Sequence, residues 1–180
     1  MKAYVFLAEG FEEIEAITPI DILRRADIEV TIVSILPYKE VCGAHGIKVM
    51  ADILFDEADY SDNDLLLLPG GMPGTKNLDA HAGLKNLLHK QVEQDKTLAA
   101  ICAAPSILGK MGLLEGKEAI CYPGYETQLL GATLSTEQVV KSGQIITAMG
   151  AGVAVPFALK LVEVLKGKQM ADKIAKAICC

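Results

Sequence analysis

Short, almost wholly apolar segments recur along the chain, and helical patterns separate most of them. The segments are Lys2–Ala8, Glu29–Ile35, Asp64–Leu68, Thr97–Ile101 and Gln144–Ala148. A strand without polar alternation must be covered on both faces, as strands of parallel sheets are. Strands that alternate with helices pair in parallel through right-handed crossovers. The sequence therefore predicts an α/β fold, an open α/β/α sandwich with a mostly parallel central sheet, in which the first segment is central.

The segments between these strands carry helical patterns and shorter extended pieces. Helices are predicted over Glu12–Ala26, Leu84–Gln94, Pro105–Met111, Gly152–Leu165 and Ala171–Ile178. Proline lacks a backbone N–H, so Pro19 predicts a kink or a broken start in the first helix. Hairpins or additional short strands are predicted over Glu40–Met50 and over Lys117–Tyr122 with Glu137–Lys141.

The composition argues against several classes of partner. A chain of 180 residues with 51% hydrophobic residues can bury a sizeable core, so one domain over residues 1–180 is expected. The net charge of -6 and the 5% of aromatic residues argue against a nucleic-acid ligand. No apolar run approaches the roughly 20 residues that span a bilayer, and the first residues lack a signal-peptide pattern. We therefore expect a cytoplasmic protein with no membrane partner.

Five cysteines give no sign of a disulfide framework or a metal site. They stand at positions 42, 102, 121, 179 and 180, with no CxxC pair and no zinc-type spacing. An odd number of cysteines suits a reducing compartment. Cys179 and Cys180 are interpreted as an incidental exposed dithiol on a frayed terminus.

Residues that can take part in chemistry follow four of the predicted strands. They are Glu9 and Gly10 after the first strand, Pro69-Gly70-Gly71 after the third, Cys102 after the fourth, and Gly150-Ala151-Gly152 after the fifth. Ligands of open α/β sheets bind beyond these carboxyl ends of the strands. Cys102 is placed at a sharp turn from strand to helix, where unpaired N–H groups favour the thiolate. From its position alone, a buried and inert cysteine is an equally open interpretation.

The neighbouring residues offer this thiol two kinds of partner. Gly70 and Gly71 expose backbone amides, and the N–H groups of Gly71 and Ala103 are expected to form an oxyanion pocket, although a plain tight turn would also explain the glycines. Glu12, Glu13 and Glu15 open the first helix, where acidic residues ordinarily complement the helix dipole. Glu15 is expected to point toward the strand ends and to keep its proton, so that it donates a hydrogen bond to the thiolate.

These residues form motifs that, taken together, are specific for one protein family. The motifs are Glu12-Glu13-Ile14-Glu15-Ala16 with Asp21–Ala26, Leu68-Pro69-Gly70-Gly71 with Gly74 and Asn77-Leu78, Ala99–Pro105, and Phe157-Ala158-Leu159-Lys160. In them the chain resembles the DJ-1/ThiJ/PfpI superfamily almost from end to end, in the branch that contains the parkinsonism-associated deglycase and YajL. The resemblance implies a single ThiJ/PfpI-type domain with a flavodoxin-like fold that forms a homodimer. It also implies that Cys102 is a nucleophile and an oxidation-sensitive thiol, that Glu15 is its protonated partner, and that Gly71 and Ala103 are the amide donors.

The chain departs from the family pattern near the nucleophile. Tyr122, followed by Pro123, stands where many relatives have a histidine, so a Cys-His pair is missing. His81 and His89 are interpreted as surface or loop residues. His45 stands near a position where close relatives often have arginine, which suggests a weak role in attracting anions. We expect Gly70, Tyr122, Pro123 and His45 to line the pocket.

Two further departures concern the segment after the last strand and the turn from strand to helix at Cys102, which we call the Cys102 elbow. The relatives' Gly-Pro-Gly-Thr after the last strand is Gly150-Ala151-Gly152-Val153 here, which removes a hydroxyl group. Ala103 replaces the histidine that directly follows the cysteine in the peptidase-like branch. The resemblance places the dimer contact on the first helix, with Arg24 and Arg25.

Three functions remain open from the sequence. The first is a cofactor-independent hydrolase or lyase with a cysteine nucleophile. It would act on glyoxal, methylglyoxal or their early adducts on thiols and amines, as a glyoxalase or deglycase, and no metal motif, phosphate loop or GxGxxG run suggests a cofactor. The second is a non-enzymatic redox sensor or stress chaperone, since the same surroundings would stabilise an oxidised Cys102. The third, an intracellular cysteine peptidase of the PfpI type, needs a base that the sequence does not place.

Overall fold

The computed structural model describes residues 1–180 and contains eleven strands and six α-helices. The strands are β1 (Lys2–Leu7), β2 (Glu29–Ser34), β3 (Glu40–Cys42), β4 (Lys48–Met50), β5 (Ile53–Leu54), β6 (Leu65–Leu68), β7 (Thr97–Ile101), β8 (Glu118–Ala119), β9 (Thr133–Leu134), β10 (Val139–Ser142) and β11 (Ile145–Ala148). The helices are α1 (Glu13–Arg25), α2 (Gly74–Ala80), α3 (Ala82–Glu93), α4 (Pro105–Lys110), α5 (Ala154–Lys166) and α6 (Lys168–Ala177).

Seven strands form the central sheet in the order β10-β11-β7-β6-β1-β2-β5. Every neighbouring pair in this sheet is parallel except β10 with β11, which is antiparallel. The predicted α/β fold with a mostly parallel sheet is therefore confirmed. β1 lies between β6 and β2, inside the sheet, as its apolar sequence predicts.

The strand β6 shows why its sequence is a run of four leucines. Leu65 and Leu67 pack into the core that also contains side chains of α1, α5 and α6. Leu66 and Leu68 point to the opposite face and pack into a second core with side chains of α3 and α4. Successive side chains of a strand alternate between faces, so a sheet covered by helices on both sides requires apolar residues at every position.

The helix α1 is continuous through Pro19, so the predicted broken start is not observed. Proline removes the helical hydrogen bond to the backbone carbonyl four residues earlier, that of Glu15. Pro19, Ile20 and Leu23 are buried, and α1 packs against α5 and β2. This packing offsets the loss of one hydrogen bond, because tertiary burial contributes more to a helix than its internal propensity.

Some of the short elements differ from the sequence-based prediction. The predicted hairpin over Glu40–Met50 is confirmed as β3 and β4. The segment Glu137–Lys141 does not pair with Lys117–Tyr122; β10 pairs with β11 at the edge of the central sheet, and β8 pairs with β9. β5 and α2 were not predicted, because two and seven residues are too short to show a period.

The last residues of the chain are exposed but hydrogen-bonded. The N–H of Cys180 donates to the carbonyl of Ala175 at 2.9 Å, and that of Cys179 donates to Lys176 at 3.3 Å. Both cysteines are exposed, as predicted, but they close the end of α6 and are not frayed. None of the six helices combines the length and the apolar character that crossing a membrane requires.

Candidate active site

Cys102 occupies the turn between β7 and α4, at the carboxyl end of the sheet. Its φ is +66°, a left-handed conformation that non-glycine residues adopt rarely and that marks a strained turn. Two hydrogen bonds hold this turn: the N–H of Cys102 donates to the carbonyl of Ala148 at 2.9 Å, and the N–H of Tyr122 donates to the carbonyl of Cys102 at 2.8 Å. The predicted sharp turn from strand to helix is therefore confirmed, and the thiol is half-buried.

Glu15 approaches the thiol from α1. Its side chain is 1% exposed, and Oε2 accepts a hydrogen bond from the N–H of Gly70 at 2.9 Å. Oε1 is buried without any hydrogen-bond partner. Burying an oxygen atom without a partner costs much free energy when the carboxylate is ionised, because an ionised carboxylate needs several donors. The cost is smaller for a protonated carboxyl group, which can donate to an adjacent sulfur.

Gly70 allows Glu15 and Cys102 to meet. A Cβ at this position would lie 2.6 Å from Oε2 of Glu15 and 2.7 Å from Cβ of Cys102. Both distances are shorter than any ordinary contact, so a side chain at residue 70 would push the carboxyl away from the thiol. Gly70, which was predicted to line the pocket, therefore contributes by having no side chain, so that Glu15 can lie next to Cys102.

Two backbone amides face the sulfur of Cys102, those of Gly71 and Ala103. Their hydrogen bonds act to lower the pKa of the thiol. Gly71 has a φ of +91°, and a Cβ there would collide with the backbone N of Glu12. Only glycine fits this turn. The two amides lie near the sulfur, and their role as oxyanion donors stays a prediction.

The two side chains of the pair oppose each other's ionisation. Burial raises the pKa of Glu15 to about 7, although the contact with the thiol and the N–H groups of Gly70 and Ala151 act in the other direction. Burial, followed by the charge of Glu15, raises the pKa of the Cys102 thiol to about 12, against the two amides. Both groups therefore cannot be ionised together near neutral pH.

These pKa shifts correct one expectation and support another. The turn and its helix N-terminus do not by themselves favour the thiolate, because burial and an ionised Glu15 outweigh the amides of Gly71 and Ala103. A Glu15 that keeps its proton into the neutral range fits the raised pKa. The sulfur can therefore carry the negative charge only while the carboxyl group holds the proton.

Tyr122 and Pro123 lie on a cavity that Cys102 and Glu15 do not themselves line. This cavity has a volume of about 450 Å³, and the segment 149–153 that follows β11 also lines it. The ring of Tyr122 packs against Gly150, where a Cβ would lie 3.3 Å from Cδ2 of the ring and 3.9 Å from Oε1 of Glu15. The cavity therefore adjoins the carboxyl group.

His45 is not a member of the Cys102 site, so its predicted place in the pocket needs correction. Its Nδ1 lies 2.8 Å from Oε2 of Glu13, and its backbone N–H donates to Oε1 of Glu13 at 2.7 Å. The hydrogen bond and the charge of Glu13 raise the pKa of His45. Burial acts to raise the pKa of Glu13, but the hydrogen bonds from His45 and from Ile47 lower it overall. The pair attaches the β3–β4 turn to the start of α1.

A cluster of three polar side chains at this turn has no counterpart among the sequence-based predictions. Oxygen atoms of Glu12 and Glu13 and a ring nitrogen of His45 lie within 4.8 Å of one another, a distance at which three ligands can hold a metal ion. Glu12 accepts the N–H of Glu15 as the helix cap, and Glu13 accepts two backbone N–H groups. The cluster is therefore explained by capping and by the turn. His45 lies 32 residues from Glu13, which is why the sequence did not show it.

No histidine hydrogen-bonds to Cys102. His81 caps α3, since its Nδ1 accepts the N–H of Leu84 at 3.0 Å, and its ring packs on Phe55. His89 is exposed on α3. Both histidines were interpreted as surface or loop residues, and the structure places them at the start of α3 and on α3. Neither histidine therefore supplies the base that a cysteine peptidase needs.

Known proteins resemble the chain over nearly all of its length. The model of the DJ-1/PfpI family matches residues 1–164. "Protein DJ-1 homolog A" of Arabidopsis thaliana is 39% identical over 96% of this chain, although the chain spans only 45% of that relative. "Glutathione-independent glyoxalase DJR-1.2" of Caenorhabditis elegans is 30% identical over 95% of this chain and 91% of the relative.

A solved structure agrees with the fold. The structure described as "Toxoplasma gondii DJ-1, oxidized" superposes with a TM-score of 0.95 at 38% identity, over 99% of this chain and 97% of that chain. Its fold is the flavodoxin-like sandwich, so the fold expected from the resemblance is confirmed for this chain.

Proposed function

The chain belongs to the DJ-1/PfpI family, and on that premise we propose that it is a carbonyl-stress protein with a cysteine nucleophile. Its general function is stress-related, as in the DJ-1 family, and the relative named as a glyoxalase supports this. In the finer sense we assign it a glyoxalase- or deglycase-like activity on glyoxal, methylglyoxal or their early adducts. The observation that carries the proposal is the buried Glu15 carboxyl, with one unpaired oxygen, beside a thiol that faces two amides.

The reaction begins with addition of the sulfur to the aldehyde carbon. The S–H proton passes to the ionised carboxylate of Glu15 as the C–S bond forms, and the carbonyl oxygen gains the negative charge. The N–H groups of Gly71 and Ala103 stabilise this oxyanion, which then takes the proton from Glu15 and gives a hemithioacetal; Glu15 is left ionised. Preorganised donors of this kind typically contribute about 2.7–4 kcal/mol each.

Glu15 then moves protons between the two carbons of the substrate. Its ionised form takes the C–H proton of the hemithioacetal, and its protonated form returns a proton to the neighbouring carbon, so that an enediol links the two states. The former aldehyde carbon is oxidised and the former ketone carbon is reduced within one molecule. A pKa of about 7 suits a group that both accepts and donates a proton.

Water completes the cycle by hydrolysing the resulting thioester. Methylglyoxal and one water molecule thus give one lactic acid molecule, and the thiol of Cys102 is restored. The former aldehyde carbon loses two electrons and the former ketone carbon gains two, so the balance closes without an external oxidant, reductant or cofactor. An early adduct on a thiol or an amine would enter the same sequence at its free carbonyl group.

The replacement Cys102→Ser tests this proposal. We expect formation of lactate from methylglyoxal, in the absence of glutathione, to fall to the uncatalysed level, since a hydroxyl group is a far weaker nucleophile than a thiolate. Cys180→Ser is the matched control, because Cys180 is a free, exposed cysteine beyond the end of α6, and it should keep full activity. Lactate formation near the wild-type rate in Cys102→Ser would overturn the proposal.

A second candidate is a redox sensor or stress chaperone that uses the same thiol. It is favoured by the amides of Gly71 and Ala103, which would stabilise the charge of a sulfinate as they would an oxyanion. The oxidised state named for the Toxoplasma gondii relative adds support. Mass spectrometry after mild peroxide treatment separates this candidate from indiscriminate oxidation: a sensor gains two oxygens at Cys102 first, whereas earlier gain at Cys179 or Cys180 would contradict it.

We also propose that the protein acts as a homodimer in the cytoplasm. Ile14 and Ile17 on α1 are 52% and 40% exposed, which fits a contact face on this helix. All five cysteines are free, which suits a reducing compartment. The peptidase alternative is not proposed, because no histidine hydrogen-bonds to Cys102.

A further inference from the structure

The cavity beside Tyr122 opens next to the Cys102 elbow. Its two walls are the Tyr122-Pro123 turn and the segment 149–153, and together they enclose about 450 Å³. Each wall is tied to the elbow by a backbone hydrogen bond: Tyr122 N–H to the Cys102 carbonyl at 2.8 Å, and Cys102 N–H to the Ala148 carbonyl, just before the second wall, at 2.9 Å. Cys102 and Glu15 do not themselves line the cavity, but a Cβ at Gly150, which does line it, would lie 3.9 Å from Oε1 of Glu15. A substituent that extends from the sulfur past this carboxyl group would therefore reach the cavity.

The lining of the cavity is uncharged. Met149, Val153 and Pro123 contribute apolar surface, Tyr122 contributes an aromatic ring, and Gln138 is the one lining side chain that carries an amide. No lysine, arginine, aspartate or glutamate lines it. A neutral apolar group gains free energy when it leaves water for such a surface, about 25 cal/mol for each Å² buried, whereas a charged group would lose hydration without finding a partner.

We propose that this cavity holds the non-reacting substituent of the substrate and selects dicarbonyl compounds with a neutral, apolar and preferably aromatic substituent. Arylglyoxals are the class that fits best, since the ring of Tyr122 can pack against a second aromatic ring and the volume lies in the range of about 300–1,000 Å³ typical of small-molecule sites. Glyoxal has no substituent to fill it. The inference rests on the proposed function, because it assumes that the carbonyl carbon reacts at Cys102.

Two glycines of the cavity play different parts. Gly150 lets the ring of Tyr122 approach, since a Cβ there would lie 3.3 Å from Cδ2. Gly152 has no atom within 4 Å of the position where its Cβ would stand, and its φ lies outside the left-handed region. A side chain at residue 152 thus enters open space at the cavity without a clash. Gly152→Leu therefore adds an apolar side chain at the wall of the cavity without a clash and leaves Cys102 and Glu15 unchanged.

The test compares kcat/KM for phenylglyoxal and for glyoxal in matched variants. We expect Gly152→Leu to lower kcat/KM for phenylglyoxal at least tenfold, through a higher KM, and to leave that for glyoxal within twofold. Tyr122→Ala should lower the same ratio about fivefold, and Tyr122→Phe should restore it. Equal loss for both substrates, or no change in the ratio for Gly152→Leu and Tyr122→Ala alike, would overturn the assignment. Tyr122 is half exposed, so its variants provide the answer even if Gly152→Leu fails to fold.

Binding without chemistry separates this inference from the proposed function. Cys102→Ala protein is titrated with acetophenone, an unreactive aryl ketone, while the methyl resonances of Met149 and Val153 are followed by NMR. Saturable shifts at these methyl groups that disappear in the double variant with Gly152→Leu support an aryl-binding cavity. An absence of shifts contradicts it whatever the enzyme turns over. Failure of the wild-type protein to turn over either dicarbonyl contradicts the proposed function, and acetophenone then still decides which ligand the cavity takes.

Discussion

Glu13 and Glu15 stand two residues apart on α1, are both buried, and have pKa values shifted in opposite directions. Glu13 meets the β3–β4 turn, where its two oxygens accept hydrogen bonds from the backbone N–H and the ring of His45 at 2.7 and 2.8 Å. Glu15 meets the Cys102 elbow, where Oε2 has one backbone donor and Oε1 has none. Burial alone raises the pKa of a carboxyl group. The difference teaches that burial prevails at Glu15, whereas the hydrogen bonds from the β3–β4 turn outweigh burial at Glu13.

The largest effect expected from this comparison is on catalysis. Glu15→Gln removes the group that moves protons and should lower kcat/KM for methylglyoxal by about 10²–10⁴. Glu13→Gln, the matched control on the same helix turn, should stay within about threefold of wild type, because its partners lie on the β3–β4 turn. Steady-state assays of lactate formation measure both, and equal losses in the two variants would mean that the difference between the carboxyl groups has no bearing on the chemistry.

The same replacement should make the thiol of Cys102 more acidic. The charge and the hydrogen bond of Glu15 both raise the pKa of the Cys102 thiol, which is about 12. The pKa in Glu15→Gln should therefore lie below the wild-type value. The rate of alkylation by iodoacetamide as a function of pH measures this. A faster thiol combined with slower turnover would separate the role of Glu15 as a proton carrier from any role in activating sulfur; a slower thiol would contradict the electrostatic account of the pair.

The next effect is on stability, and its sign differs between the two carboxyl groups. The pKa of Glu15 rises from 4.5 to about 7 on folding, so the folded state binds more protons between these values. The contribution of Glu15 is therefore fully present below pH 4.5 and is lost as the pH rises through about 7, a change of about 3 kcal/mol by the usual linkage. Glu13 has a lowered pKa, so its contribution is present above its ordinary value of 4.5 and is lost as the pH falls through the lower folded value.

Urea unfolding at a series of pH values tests these signs. Subtracting the Glu15→Gln curve from the wild-type curve should leave a slope between pH 4.5 and 7, with stability falling as the pH rises. The corresponding difference for Glu13→Gln should show a slope only in the acid range, with stability falling as the pH falls. Parallel curves in both comparisons would show that the two carboxyl groups do not titrate differently in the folded state.

The smallest effect concerns the anchoring of the β3–β4 turn. Glu13→Ala leaves the backbone N–H groups of His45 and Ile47 without their acceptor. We expect a loss of about 1–2 kcal/mol in the free energy of unfolding. His45→Ala should cost less, since its ring is 69% exposed and exposed ion pairs contribute little. Chemical denaturation ranks the two variants, and a larger loss for His45→Ala would mean that the ring, and not the backbone, holds the turn.

The sequence was sufficient for the fold wherever the pattern is long and regular. The run of leucines in β6 and the apolar β1 and β7 indicated strands buried on both faces, and this requirement is local to each strand. The sequence did not reveal which strand pairs with Glu137–Lys141, because a four-residue strand can pair with several neighbours. It also missed β5 and α2, which are too short to show a period.

The candidate site divides in the same way. The turn at Cys102 and the amides of Gly71 and Ala103 could be predicted, since each follows from one residue and its neighbours along the chain. The position of His45 could not, because the hydrogen bond that attracts it to Glu13 spans 32 residues. Glu15 could be selected from the sequence among three glutamates, and the structure adds the reason: Gly70 leaves room for its carboxyl group beside Cys102.

The sequence by itself determined the order of strands and helices, the strained turn that presents Cys102, and the glycines that expose amides near it. These depend on local backbone geometry and on whether a segment is apolar. Only the tertiary structure decided the charge of the site, because a pKa depends on how many donors surround a buried group. The donors reach Glu13 from the β3–β4 turn and Glu15 from the turn after β6, and these segments come together only when the sheet and α1 are assembled.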